Sequence, residues 1–204
     1  LNNGSLTFAQ EFTTFVGTPE FQTAVAPVAA FLEGFFPNQA PDPNLLRHAV
    51  QLLHQGITPD AVAQDLLYSQ TFVNQFGDTS QQTDAQFVTF LYQQLLHRSP
   101  TAAELNDWVG LISSAGLDRG QVVLDFLSSG EFLTRNPAVP AETAVSAAYL
   151  GMLGRSADPA GFQAWLNFLA AGNSLTQLAN LFQVSPEFTA LRGFPDVMLS
   201  DVAA

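Results

Sequence analysis

With 204 residues, 47% of them hydrophobic, the chain holds the material for a sizeable core. Its six basic residues are all arginine, and a formal net charge of -12 argues against partners that present a phosphate backbone or an anionic membrane surface, nucleic acid among them. The absence of cysteine removes disulfides, thiol nucleophiles, iron–sulfur clusters and thiolate zinc sites together, and no apolar run reaches the roughly 18 residues of a membrane span.

A phenylalanine recurs at Phe21, Phe72, Phe132 and Phe188, at intervals of 51, 60 and 56 residues. Each closes a related tetrapeptide: Thr18-Pro19-Glu20-Phe21, Ser69-Gln70-Thr71-Phe72, Ser129-Gly130-Glu131-Phe132 and Ser185-Pro186-Glu187-Phe188. A hydroxyl first, Pro next in two of them and Glu in the opening turn form an N-cap pattern, so each Phe opens a short helix and points into the core. The period signals a stacked array of small helical units.

Residues 1–24 read as a partial unit, with Leu1 where Ile112 stands in a complete copy and Phe15 where Phe126 stands. The chain therefore reads as entering a repeat midway, with any targeting signal elsewhere; no signal peptide is legible at its start. A degenerate unit occupies 25–76. Val25, Val28, Phe31, Leu32 and Phe35 recur at helical spacing until Phe36-Pro37, and Pro27 within that run predicts a kink or two helices. Asp42-Pro43 starts a helix faced by Leu45, Leu46, Ala49, Val50, Leu52 and Leu53, Gly56 ends it, and Thr58-Pro59-Asp60 caps the next. The polar stretch 77–83 reads as an internal hinge.

Complete units follow at 84–134 and 141–192. The first predicts helices over 84–97, 100–114 and 118–127. The second repeats the plan with Val145, Ala148, Tyr149, Met152 and Leu153, an Asp158-Pro159 cap before Phe162, Trp165 and Leu169, and a break at Gly172-Asn173. Residues 193–204 read as a C-terminal helix or linker. No segment alternates with period two, so the predicted fold class is all-α: a tandem array of about three-helix repeats sharing a continuous core, with no sheet.

Fifty-seven residues after Tyr92, Arg98 and Trp108 stand Tyr149, Arg155 and Trp165, in the same order and spacing. Tyr92…Leu95-Leu96-His97-Arg98-Ser99-Pro100…Trp108 and Tyr149…Met152-Leu153-Gly154-Arg155-Ser156-Ala157-Asp158…Gly161-Phe162…Trp165 resemble the repeat family known as domain of unknown function 4214. The resemblance weakens over 25–72, where Asn38 replaces the arginine and His48 the tryptophan. It implies a helical module similar to phycobilisome linker domains and found in bacterial secreted proteins, including type I secreted proteins with calcium-binding glycine-rich (RTX-type) repeats, and in surface-layer (S-layer) proteins. The glycine-rich calcium nonapeptide itself is absent, so calcium binding is not carried over, and the family supplies no catalytic residue.

The recurring residues are the candidate ligand-binding set: Trp108, Trp165, Arg98, Arg155, Tyr92 and Tyr149. Indole faces stack on sugar rings, but a Trp on an apolar helix face is more often core. The arginines suit bidentate recognition of a carboxylate or phosphate; the structural alternative is a cation at a helix C-terminus, bonding the last carbonyls or a neighbour such as Asp107. His48 in the place of a tryptophan predicts a packed or partly buried ring, and His48, His54 and His97 form no zinc spacing. Asp42, Asp60, Asp118 and Asp158 lie at helix starts, where capping explains them. No Gly-x-Ser-x-Gly, phosphate loop or dinucleotide fingerprint occurs, so no catalytic residue, metal or cofactor is assigned.

Acidic, without lysine or cysteine, and rich in Gln, Asn, Ser and Thr, the chain also resembles exported bacterial proteins in composition. Together with the family resemblance, this predicts a non-catalytic module of an extracellular or cell-surface protein that binds surface polysaccharide or lipopolysaccharide, or assembles a surface layer with other subunits, self-association being left open. The alternatives are a protein–protein linker or scaffold, and an accessory module of a secreted enzyme.

Overall fold

The computed structural model describes residues 7–19 and 21–192. The predicted C-terminal helix or linker, 193–204, lies outside the described residues, as do residues 1–6. The helices are α1 (Phe8–Val16), α2 (Ala26–Phe35), α3 (Pro43–His54), α4 (Pro59–Tyr68), α5 (Gln70–Phe76), α6 (Asp84–Leu95), α7 (Ala102–Ala115), α8 (Arg119–Ser128), α9 (Gly130–Arg135), α10 (Val139–Leu153), α11 (Pro159–Ala170), α12 (Leu175–Gln183) and α13 (Pro186–Arg192). No strand occurs among the described residues, so the chain is all-α.

Local chemistry sets where these helices begin. Thr7, Thr83, Thr101 and Ser174 form reciprocal capping boxes with Gln10, Gln86, Glu104 and Gln177, while Asp42, Asp118 and Asp158 accept from first-turn amides. At the closing tetrapeptides one hydroxyl does two jobs. Ser129 accepts from Phe132 N at 3.1 Å and donates to Phe126 O at 2.7 Å, and Ser69 and Thr18 repeat the pattern with Phe72 and Leu66 and with Phe21 and Phe15. The helix that ends and the helix that begins thus share a side chain, which forces the sharp turn between them. All four closing phenylalanines are buried, each contributing about 1.5–3 kcal/mol if fully transferred from water. Where Pro27 interrupts the early run, a π-helical turn over Phe21–Val25 leads directly into α2, and Pro27 lies in the first turn of α2, so the register of the ladder changes where the proline cannot donate.

Packing order is not sequence order. α4 lies against α8, and α1 lies against α12 rather than only against its sequence neighbours; α2 packs on both α8 and α10. The amide of Ala9 on α1 donates to Gln183 Oε1 at 3.1 Å, tying the first described helix to the fourth unit. Buried apolar residues form two clusters: one spans α2 to α9, and the other joins α1 with α10 to α13. α10 belongs to both, through Val139 in the first and Val145, Ala148 and Met152 in the second. The helices α4 and α8 approach closely at Gly120, where a Cβ would overlap the Asp60 carbonyl and stand 2.8 Å from Gln64 N.

Two expectations are corrected. The stretch 77–83 is not a hinge: Thr79–Gln81 is a short 3-10 helix, Thr79 is buried, and Arg119 donates to the carbonyls of Thr79 and Gln82 and reaches Asp84 at 3.1 Å. Nor is His48 packed in a tryptophan's place. It is exposed and bonds Asp65 at 2.7 Å, while Ala49 lies seven residues after its cap, as Trp108 and Trp165 do after theirs, and is buried.

Candidate functional site

In each complete unit the predicted residues come together at the end of the unit's first helix. Tyr92 on α6 meets Phe126 edge-on at 5.0 Å and 89°, and Trp108 on α7 lies on the same ring at 4.9 Å. Tyr149 on α10 meets Phe182 at 5.0 Å and 87°, with Trp165 on α11 at 4.9 Å. Two copies of one sequence pattern have produced one side-chain geometry twice. The tyrosines are buried and the tryptophans half-buried. Each indole is committed to its unit's core by its contact with the phenylalanine. Burial pushes both tyrosine hydroxyls above the ordinary phenol range, an effect that a hydrogen bond from each tryptophan opposes.

Arg98 lies over the Tyr92 ring at 4.7 Å, and Arg155 over Tyr149 at 5.0 Å. The guanidinium of Arg98 is shared between two carboxylates. Nε and one terminal nitrogen grip Glu131 at 2.7 and 2.8 Å, both terminal nitrogens grip Glu104 at 2.7 and 2.9 Å, and a further N–H reaches Ser99 O at 3.2 Å. These five bonds use the fork's whole donor capacity. Hydrogen bonds from Arg98 hold Glu104 and Glu131 at about 2, and those carboxylates raise Arg98 above its usual range. Arg155 forms the matching fork on Glu187, donates to Ser156 O at 2.9 Å and lies 3.8 Å from Asp158. The pairing lowers Glu187 and raises Arg155.

The forks are the bidentate carboxylate grip that the sequence suggests, closed on carboxylates of the same unit, and the neighbours gripped are glutamates rather than Asp107. Among the described residues, the Arg98 side chain reaches neither the last-turn carbonyls nor Asp107 but the glutamate of the closing tetrapeptide and Glu104, while its backbone N–H donates to Tyr92 O at 3.3 Å. By its place in the opening turn, that closing glutamate reads from sequence only as a helix-dipole charge. A sequence signal for the pairing exists: the degenerate unit loses both members at once, with Asn38 in place of the arginine and Thr71 in place of the glutamate. The third member also varies in concert. Glu104 stands three residues after the Thr101 cap, whereas after Asp158 the same position is Gly161, so each unit keeps one carboxylate at the helix start facing the arginine. A Cβ at Gly161 would overlap the Tyr149 hydroxyl.

One polar cluster was not found from sequence. Glu33 on α2 and Glu142 on α10 are both fully buried. Ser146 donates to Glu33 Oε1 at 2.6 Å, the amide of Asn38 donates to Glu142 Oε1 at 3.0 Å, and among the described residues the second oxygen of each acid has no hydrogen-bond partner. Burial, opposed by Ser146 and reinforced by the Glu142 charge, lifts Glu33 to about 8, and burial raises Glu142 as well. Only the cross-packing of α2 on α10 places these acids together. Among the described residues, no three His, Cys, Asp or Glu side chains form a group that could hold a metal, and no helix is long and apolar enough to cross a membrane.

A family model described as a domain of unknown function (DUF4214) matches residues 63–136 and again 138–192. No curated protein and no solved structure matches the chain.

Proposed function

The chain belongs to the DUF4214 family, and from that premise we propose that it is a non-catalytic binding or assembly module of an exported or cell-surface bacterial protein, with surface polysaccharide, including that of lipopolysaccharide, as its partner. One observation carries this reading. The recurring Tyr, Arg and Glu residues are spent on closing each complete unit internally, so partners meet a surface made largely of Gln, Asn, Ser, Thr and acids. Such a surface offers many amide and hydroxyl groups to polyhydroxylated ligands and, at a net charge of -12, little to polyanions. Trp108 and Trp165 act in this reading as braces for the binding surface rather than as stacking platforms. Co-sedimentation of the protein with purified neutral and charged bacterial surface polysaccharides tests it: retention by neutral polymers is the expected result, and recovery wholly in the supernatant with every polymer would refute it.

A scaffold that links protein subunits is the second reading, favoured by the apolar exposure at the end of the fourth unit. Leu181 on α12 and Val184, its C-cap, three residues apart and so on one side of the helix end, are 45% and 73% exposed. Val184→Asp would abolish a protein complex formed there and leave polysaccharide retention unchanged.

A further inference from the structure

The degenerate unit carries, at the position where the complete units place their arginine clamp, an open cleft of about 370 Å³. Its walls are the clamp's own counterparts. Counted from the helix ends and caps, Leu32 stands for Tyr92, Asp42 for Thr101, Leu45 for Glu104 and Thr71 for Glu131, and all four line the cleft. Asn38, the counterpart of Arg98, does not line it; with a φ of 62° its backbone turns so that its amide bonds Glu142 on α10. Pro37 explains the detour, because its fixed φ prevents the left-handed turn that His97 and Gly154 make at the same place, and the turn is delayed by one residue. Loss of the tyrosine, arginine and glutamate side chains has emptied a site that the other two units fill.

We propose that this vacated clamp is a binding site for a neutral saccharide unit, one or two rings long. The proposal rests on the polysaccharide reading above and specifies where on the chain a sugar is held. Leu32 and Leu45 form an apolar floor, and the half-exposed Phe36 supplies an aromatic ring at the wall for the carbon face of a sugar. Around them stand Gln39, Thr71, Asn74 and Gln75, neutral groups that both donate and accept, as vicinal hydroxyls require. Among the described residues, the side chains of Gln39, Thr71 and Gln75 make no hydrogen bond within the chain, while Asn74 accepts from Gln70 through Oδ1 at 2.7 Å. Among the described residues no cation lines the cleft, and Asp42 does, so an anionic sugar is disfavoured where a neutral one is not. The volume lies at the low end of the roughly 300–1,000 Å³ typical of small-molecule sites.

The test titrates isotopically labelled protein with maltose, cellobiose and N,N′-diacetylchitobiose, and with glucuronate as the anionic comparison, following backbone amide resonances. Saturating shifts centred on Gln39, Thr71 and Gln75 with a neutral sugar, and none with glucuronate, are expected. Thr71→Tyr fills the cleft and should abolish the shifts. Gln75→Ala, at an exposed position, should weaken binding about tenfold, the loss of one or two hydrogen bonds. Shifts confined to other regions, no shift with any of the neutral sugars, or undiminished binding by a folded Thr71→Tyr variant would overturn the assignment. Such a result alongside retention by polysaccharide sinks the cleft and spares the module reading; sugar binding in the cleft with no retention by any polysaccharide does the reverse.

Discussion

Replacing Glu33 by Gln should flatten the pH dependence of stability between about pH 5 and 8. Glu33 lies on α2 against α10, bonded through one oxygen to Ser146 and facing the negative charge of Glu142. Burial lifts its pKa from 4.5 to about 8, so the fold holds the protonated form and the unfolded chain the ionised one. The sign follows from that difference. The contribution is fully present below the unfolded value and is lost as pH rises through the folded one, at about 1.4 kcal/mol per pH unit inside the window. From pH 5 to 7 the loss is roughly 2.5 kcal/mol, which in a chain of this size lowers Tm by about 5–10 °C. In the Glu33→Gln variant the amide oxygen still accepts from Ser146 and nothing titrates, so thermal melts at pH 5, 6, 7 and 8 should diverge from wild type as pH rises, the variant being the more stable at pH 8. Glu142, also raised by burial, leaves a residual slope of the same sign. Parallel melting curves for the two proteins across that range would refute the assignment of Glu33 as a buried, protonated acid. On the acid side Glu104 and Glu131 act oppositely: held at about 2, they stabilise the fold above the ordinary carboxylate range and lose that effect as pH falls, so stability should peak near pH 4–5.

Three further outcomes follow from the geometry. In a double-mutant cycle, Arg98→Met and Glu131→Gln should each lower Tm by on the order of 5 °C, and the double variant should fall well short of their sum, since the second change removes a bond already lost; additive losses would mean that the fork is not energetically coupled. Arg119→Ala removes the donor to the Thr79 and Gln82 carbonyls, at a cost of about 1–3 kcal/mol. Amide exchange should accelerate across 77–83 while α10 to α12 stay protected, and unchanged exchange in the loop would show that Arg119 does not fasten it. Gly120→Ala forces α4 and α8 apart and should destabilise by about 1–3 kcal/mol. Gly110→Ala, in the interior of α7 with open space around its Cβ position, should stabilise by about 0.5–1 kcal/mol. Opposite signs in denaturant titrations are the expected result, and equal effects would sink the close-approach explanation.

Helix positions were legible because their causes are local. The capping hydroxyls and carboxylates, the prolines of first turns and the 3.6-residue apolar spacing lie within a few residues of what they control, so the observed helices begin within about two residues of the predicted starts in the complete units. The six candidate residues were also legible, as a repeat, and their geometry is repeated to within 2° for the tyrosine pairs. Their partners were harder to see. Arg98 and Glu131 are separated by two helices, and periodicity within one helix carries no information about such a pairing; only the joint loss of both in the degenerate unit betrays it. The stretch 77–83 misled because polar composition describes affinity for water, whereas its order comes from an arginine some forty residues away.

The sequence by itself determined an all-α chain of repeated units, the caps that start its helices and the phenylalanines that close them, because each depends on neighbours along the chain. Only the tertiary structure decided that α1 joins α12 and α4 joins α8, that Glu33 and Glu142 are buried side by side between α2 and α10, and that the degenerate unit is left with a cleft where its siblings hold an arginine. Those outcomes depend on which helix faces fit one another once the chain has folded back on itself, and an amphipathic stripe states that it must be covered without naming the helix that will cover it.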